Sequence, residues 1–244
     1  MDNKVVIVTG SVRGIGRATI LEFAKKGYDA VICYNKTGAP AEALKQEIES
    51  SYGVKAFIVS VDISSEESVK NMVSAVMNEF GHIDVLVNNA GIAIDKEFED
   101  RTVEDWQKTL SVNLIGTFLV SKYVGEVMMK QKAGKIVNVS STNGINSFFP
   151  TSIDYDASKA GVINLTHNLA VQFAPYVNVN SVAPGWVNTD MNMALPKDFI
   201  EEETQKIYKK RFAEPGEIGK VIVFLASDDA DYINGETIKI DGGY

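Results

Sequence analysis

The sequence is poor in the residues that carry disulfide and metal chemistry. Cys33 is the one cysteine in 244 residues, so no disulfide can close within the chain, and a reducing compartment, the cytoplasm by default, is the expectation. The thiol itself lies in an apolar run and reads as strand packing. His82 and His167, the two histidines, stand isolated and read as surface or packing residues, so no metal site is expected. No apolar run reaches the roughly eighteen residues that a spanning helix needs. The first residues, MDNKVVIVTG, enter an apolar run at once and leave no room for the parts of an export signal. Positive charge is also the minority: 24 Lys and Arg face 32 Asp and Glu, a net charge of -8. That balance opposes binding to nucleic acid or to an anionic membrane, and neither partner is expected.

What the sequence does hold is apolar residues set in a rhythm. At 45% hydrophobic content a chain of this length can bury a full core, and a single domain over residues 1–244 is expected. Seven β-branched runs recur, at 5–8, 30–33, 56–61, 85–87, 135–139, 177–182 and 237–240. They are apolar throughout, as parallel strands covered on both faces must be. Between them lie segments of helical period. In GRATILEFAKKG, Ala18, Leu21 and Ala24 recur along one face and Gly27 fits the position after the helix end. SSEESVKNMVSAVMNEFG opens on Ser and Glu and closes on Gly81, which match capping preferences. Strand and helix in alternation predict an α/β fold: a doubly wound, Rossmann-type three-layer sandwich around a seven-stranded parallel sheet. The segment from Trp186 to Glu217 breaks the rhythm and reads equally as a flap over a substrate or as a solvated helical connection.

In such sheets ligands bind beyond the carboxyl ends of the strands, where loops part and helix N-termini offer free N–H groups. The unusual residues fall there. TGSVRGIG follows the first strand, and Gly10, Gly14 and Gly16 precede a helix, the setting of a dinucleotide pyrophosphate cradle. Asp62 follows the third strand, NNAG (88–91) the fourth, Ser140 and Ser141 the fifth, and APGWVNT (183–189) the sixth. Gly27, Gly53 and Gly81 are the plainer stops of the opposite edge. Tyr155 and Lys159, four residues apart, share a helix face near this mouth. On an ordinary surface that pair is worth only a few tenths of a kcal/mol.

Together TGSVRGIG, NNAG, Asn113, VSS with Ser141, YDASK and PGWVNT resemble the classical short-chain dehydrogenase/reductase family over essentially the whole chain, and within it most resemble bacterial 3-oxoacyl-acyl-carrier-protein reductases. The resemblance implies that Tyr155 gives or takes the proton, that Lys159 tunes it and anchors a ribose, that Ser141 polarises a carbonyl and that Asn113 holds a water. Ser141 precedes Tyr155 by one residue more than the family's usual interval, so Ser140 and then Thr142 compete with it; Gly144 supplies the Ser-x-x-Gly pattern that favours Ser141. The cofactor residues implied are Gly10, Ser11, Arg13, Gly14, Ile15, Gly16, Asn35, Lys36, Asp62, Ile63, Asn89, Ala90, Gly91, Pro184, Gly185, Val187 and Thr189, besides Tyr155 and Lys159. A homotetramer is implied, built partly by the helices bearing Asn113 and Tyr155 and partly by the tail INGETIKIDGG. Moving a phenol from its ordinary pKa of about 10 to about 7 requires roughly 4 kcal/mol, which one cation at about 4 Å can supply, so Lys159 is expected to acidify Tyr155.

The end of the second strand, CYNK, lacks the carboxylate with which NAD users hold the adenosine ribose, while Arg13 and Lys36 suit a 2′-phosphate; NADP(H) is expected over NAD(H), which stays possible. Substrates divide into a 3-oxoacyl thioester presented by acyl carrier protein and a free small ketone or alcohol such as a sugar, polyol or hydroxysteroid. The first needs a basic patch, for which Lys130, Lys132 and Lys135 are candidates, although no Lys or Arg occurs between Lys159 and Lys197. The second would use Phe148, Phe149, Trp186, Met191 and Met193 as a pocket lining. A third reading, a dinucleotide-binding regulator without activity, is opposed by the intact Asn, Ser, Tyr and Lys set.

Overall fold

A computed structural model describes residues 3–36, 38–146, 148–193 and 195–244, apart from the Met191 side chain. The apolar runs become β1 (Val5–Val8), β2 (Asp29–Tyr34), β3 (Ala56–Ser60), β4 (Val85–Asn88), β5 (Gly134–Val139), β6 (Val177–Pro184) and β7 (Thr237–Ile240). They pair in one sheet in the order β3-β2-β1-β4-β5-β6-β7, with every pairing parallel. The chain winds outward from β1 to β3, then returns to lay β4 against the other side of β1, and that reversal opens a crevice beyond the carboxyl ends of β1 and β4.

Nine α-helices connect the strands among the described residues. They are α1 (Gly14–Lys25), α2 (Ala39–Tyr52), α3 (Glu66–Phe80), α4 (Val103–Leu110), α5 (Thr117–Gln131), α6 (Ile153–Gln172), α7 (Asp190–Met193), α8 (Lys197–Lys206) and α9 (Pro215–Leu225). Alternate residues of each strand feed opposite faces, which is why the strands read as continuous apolar runs. Val6 and Val8 pack with Ile20 and Phe23 of α1, Ile48 of α2 and Ile222 of α9. Val5 and Ile7 pack with Met72 of α3, Val124 and Met128 of α5 and Leu169 of α6. Each fully buried Val, Leu or Ile contributes about 1.5–3 kcal/mol before chain entropy is counted, so the scaffold beneath the crevice is rigid.

Two features of the connections bear on the site. Between α4 and α5 the backbone widens into a π-helical turn, Ser111–Gly116, that carries Asn113. The segment from Trp186 to Glu217 holds α7 and α8, and its base is closed by Asn188 N–H donating to Ala213 O (2.8 Å) and Ala213 N–H donating to Trp186 O (2.9 Å). The base of this flap segment is therefore tied.

Candidate active site

The cradle begins at the end of β1. Thr9 Oγ1 accepts from Asn89 N and Ala90 N, both at 3.0 Å, and thereby stitches β1 to the loop after β4. Asn89 Nδ2 donates to Thr9 O (2.9 Å) and Gly10 O (3.2 Å). Gly10 has φ +65°, and a side chain there would also meet Ala90 Cα at 3.1 Å. At Gly16 a Cβ would lie 2.4 Å from Gly10 O, so no larger residue lets the loop fold back onto the helix. The first turn of α1 has neither a side-chain cap nor an acidic residue, which leaves its N–H groups for an anion. Arg13 and Lys36 are exposed, as is Asn35, and the end of β2 bears no carboxylate. The neighbouring Arg17 is committed to Glu47.

Most residues expected around a dinucleotide line this edge: Gly14 lies against Thr189, Ile15 adjoins the turn, Gly91 approaches Asn113 and Lys159, and Pro184, Gly185 and Val187 leave β6. Asp62 and Ile63 stand beyond β3, where Asp62 Oδ1 accepts from Ser64 N–H (3.0 Å) and its hydroxyl (2.6 Å). Ser11 differs. It is fully buried and its Oγ accepts from Cys33 N–H (3.0 Å), so its hydroxyl ties β2 in place instead of facing the crevice.

The four residues expected to do chemistry converge at the same mouth. Asn113 is buried; its Nδ2 donates to Ile92 O (2.9 Å) and Ser158 Oγ (3.0 Å), while its Oδ1 accepts from Ile92 N–H (2.9 Å). Of the adjacent serines, Ser140 Oγ donates to Lys159 O (2.8 Å) and is spent on holding α6. Ser141 Oγ donates to Asn143 Oδ1 (3.2 Å) beside the Tyr155 phenol, whose ionised form it favours, and Thr142 is buried. Gly144 makes this approach possible, because a Cβ there would lie 2.6 Å from the backbone carbon of Lys159. Lys159 Nζ donates to Val139 O (2.9 Å) and lies 5.5 Å from the centre of the Tyr155 ring.

The electrostatics differ from the sequence expectation. Burial, opposed by the Ser141 hydroxyl, pushes the Tyr155 phenol up to about 12, and the Asp156 and Asp95 charges add to the rise. Burial also pushes the Lys159 ammonium down to about 8. Burial dominates at both groups: Lys159 Nζ donates to a backbone carbonyl, and each group is driven toward its neutral form. The phenol is an acid held ready to donate, not one already ionised at neutral pH.

The site can be set beside known proteins. The family model described as enoyl-(acyl carrier protein) reductase matches residues 10–244. The 3-oxoacyl-[acyl-carrier-protein] reductase FabG of Aquifex aeolicus is 42% identical over 244 residues, covering 100% of this chain and 98% of its own. The chain belongs to the short-chain dehydrogenase/reductase family. The FabG protein of Thermotoga maritima is 41% identical over 245 residues, again covering 100% of this chain and 98% of its own. A crystal structure of a short-chain alcohol dehydrogenase from Sinorhizobium meliloti 1021 superposes with a TM-score of 0.94 at 32% identity, covering 100% of this chain and 97% of the other. As a short-chain dehydrogenase/reductase the protein is an oxidoreductase of CH–OH and keto groups, with a nicotinamide dinucleotide as cofactor.

Several residues of this dehydrogenase/reductase's site were not singled out by sequence reasoning. Thr9 is one; its sole signal is the TG step at a strand end. Asp156, inside YDASK, accepts from Asn143 Nδ2 (2.7 Å), Ser152 Oγ (3.0 Å) and Phe149 N–H (3.3 Å). The buried pair Arg101–Asp154 (2.9 Å), joined by Thr109 Oγ1 donating to Asp154 (2.7 Å), pins the loop after β4 to the start of α6. Trp186 stacks on Phe212 (5.4 Å between centres) and meets Phe149 (5.5 Å) and Phe199 (5.6 Å) edge-on, joining the flap to the loop that follows Ser141. Of the other expected pocket residues, Phe148 and Met193 are exposed, and the Met191 side chain lies outside the described residues. Among the described residues no cluster of His, Cys, Asp and Glu could hold a metal, and no helix is long and apolar enough to cross a membrane.

Proposed function

We propose that this protein reduces a 3-oxoacyl thioester, carried by acyl carrier protein, to the 3-hydroxyacyl thioester with NADPH, as a cytoplasmic homotetramer. The observation that carries the reading is the convergence of Ser141, Tyr155 and Lys159 on one mouth beside the glycine cradle. The residues fit a dinucleotide: the fold-back at Gly16 and the uncapped start of α1 suit its pyrophosphate, and Lys159, beside Gly91, suits a ribose. Arg13 and Lys36, exposed beside a strand end without a carboxylate, support a 2′-phosphate and hence NADPH. When bound, the reduced nicotinamide supplies the hydride that the carbonyl carbon accepts.

The protein's own part is the proton. Ser141 donates a hydrogen bond to the carbonyl oxygen and Tyr155 Oη transfers its proton there as negative charge develops. A phenol pushed up to about 12 is fully protonated at neutral pH, which suits reduction. In the opposite direction the same phenol would have to lose its proton first. Asn113, fixed in the π turn by Ile92 and Ser158, stands behind this pair and suits a water that refills the proton.

The basic patch for a carrier protein is smaller than the sequence suggests. Lys135 is committed to Asp231, which leaves Lys130 and Lys132 exposed at the end of α5. Lys130 borders a depression lined also by Glu126, Met129, Gln172 and Phe173, and this face is the docking surface that fits the reading. The scarcity of cations there favours a second reading, reduction of a free small ketone. Parallel assays decide between them: 3-oxoacyl groups on acyl carrier protein, the same groups on a small thiol, and simple ketones, each with NADPH and NADH and at two salt concentrations. A kcat/KM that is highest for the carrier conjugate and falls with salt is expected. Equal turnover of free ketones without salt dependence overturns the carrier reading. Tyr155→Phe should lower ketone reduction by about 10²–10⁴-fold in either case.

A further inference from the structure

Asp156 follows Tyr155 directly, and its carboxylate is bound by the loop that carries Ser141. Three donors meet it: Asn143 Nδ2 (2.7 Å) and Ser152 Oγ (3.0 Å) at Oδ1, and Phe149 N–H (3.3 Å) at Oδ2. A carboxylate can only accept, so the side of Asn143 that faces Asp156 must be its NH₂. The amide oxygen is thereby turned toward Ser141, whose Oγ donates to it (3.2 Å) and accepts from the Asn143 backbone N–H (3.2 Å). The Ser141 proton is thereby directed to Asn143 Oδ1, beside the Tyr155 phenol. One carboxylate thus fixes which way a neutral amide points, and the amide fixes which way a hydroxyl points.

From this chain of contacts, we propose that Asp156 is a positioning residue for carbonyl reduction: through Asn143 it sets the orientation of the Ser141 hydroxyl and holds the longer loop from Ser141 to Ser152 closed over α6. The inference rests on the ketone-reducing reading above. It also gives the extra residue before Tyr155 a physical account, since the loop returns to α6 at Phe149 and Ser152 on the same carboxylate that orients Asn143. When a carbonyl arrives, the Ser141 proton turns from Asn143 Oδ1 to the carbonyl oxygen, a rotation of one hydroxyl with no movement of the loop.

The test is a double-mutant cycle, because a residue acting only through Ser141 has nothing left to do once that hydroxyl is gone. Asp156→Asn, whose side chain can donate as well as accept, releases the constraint on the Asn143 amide. It should lower kcat by about 10- to 100-fold while leaving the KM for NADPH unchanged, the loss expected of a misplaced first contact. Asn143→Ala should reproduce that loss, and Asp156→Asn should cost no more than about twofold in a Ser141→Ala background. Asp156→Glu, which restores an acceptor-only group, should recover part of kcat.

An independent readout is the titration of Tyr155, followed as the phenolate absorbance difference between each protein and its Tyr155→Phe counterpart. Tyr155 is faced by Ser141 beyond β5, by Lys159 and Asp156 on α6, and by Asp95 in the loop after β4. Asp156→Asn removes one of the two negative charges and should move the midpoint down, whereas Asn143→Ala should leave the charges around the phenol unchanged. Equal losses from Asp156→Asn with and without Ser141, or wild-type kcat in Asp156→Asn, would overturn the proposal. Wild-type protein that reduces no ketone defeats the functional reading instead; the phenol titration would still report whether Asp156 faces Tyr155.

Discussion

At the scale of single residues, neighbours of like chemistry do different work, and hydrogen bonds tell them apart. Ser140 and Ser141 are adjacent hydroxyls, but the first bonds a helix carbonyl and the second the Asn143 amide beside the phenol. Ser140→Ala should therefore cost about 1 kcal/mol of stability and leave kcat within a few-fold, whereas Ser141→Ala should lower kcat by about 10²-fold with little change in denaturant midpoint. The Ser-x-x-Gly pattern pointed to Ser141 in the sequence because it records a packing need: only a residue without Cβ lets the turn rest on the backbone of Lys159. The charge states around Tyr155 were not legible, since desolvation depends on what α6 is packed against and not on the spacing of two residues. Burial lowers Lys159 from its ordinary 10.5 to about 8, so between those values the unfolded chain binds more protons and stability rises with pH. Tyr155 is raised from 10 to about 12, so above pH 10 the folded chain binds more protons and stability falls. Urea unfolding of Lys159→Met against wild type should show the rise between pH 8 and 10 flattened, and an equal rise in both would refute the assignment.

At the scale of elements, strands and regular helices were readable from periodicity, and the features that shape the site were not. The apolar runs marked all seven strands, with β6 running two residues further than its β-branched stretch, through Ala183 to Pro184. The π turn that lifts Asn113 toward Ile92 leaves no composition signal, because its residues suit an ordinary helix. The flap stayed ambiguous for a related reason: its order comes from Trp186, Phe199 and Phe212, which meet only after the chain has turned back on itself. Glu203 of α8 secures that fold. It is 2% exposed and accepts from Trp186 Nε1 (3.0 Å), from Lys206 Nζ (2.6 Å) and from the Tyr244 hydroxyl. Burial pushes its carboxyl up, but the bonds from Lys206, Tyr244 and Trp186 together outweigh burial and hold it below the usual carboxylate range. Glu203→Ala leaves two partly buried donors and a lysine without their acceptor. It should raise the KM for the ketone several-fold, speed proteolysis between α7 and α8, and leave the KM for NADPH unchanged. Proteolysis and ketone KM both unaltered would show that the flap is held by its aromatic residues alone.

At the scale of the whole molecule, a doubly wound parallel sheet followed from connection rules once alternation was recognised, whereas the strand order β3-β2-β1-β4-β5-β6-β7 is the structure's own finding. The winding places the β1–β4 crevice, and every strand-end cluster read from the sequence falls on that edge. Assembly is different, because a surface shows only what it leaves uncovered. On the π turn and the start of α5, Ile115 is 48% and Phe118 42% exposed, two large apolar side chains one helical turn apart beside the element that carries Asn113. In the proposed homotetramer this face meets its own copy across a twofold axis, so each substitution acts twice per interface. Phe118→Glu then buries two unpaired carboxylates, at a cost of several kcal/mol that an interface of ordinary size cannot absorb. Sedimentation should give wild-type particles of four times the 26.6 kDa chain and smaller particles for the variant. Because the face adjoins Asn113, the dissociated variant should also lose kcat while its far-ultraviolet circular dichroism is retained; wild-type protein sedimenting as a single chain would remove this surface from the assembly.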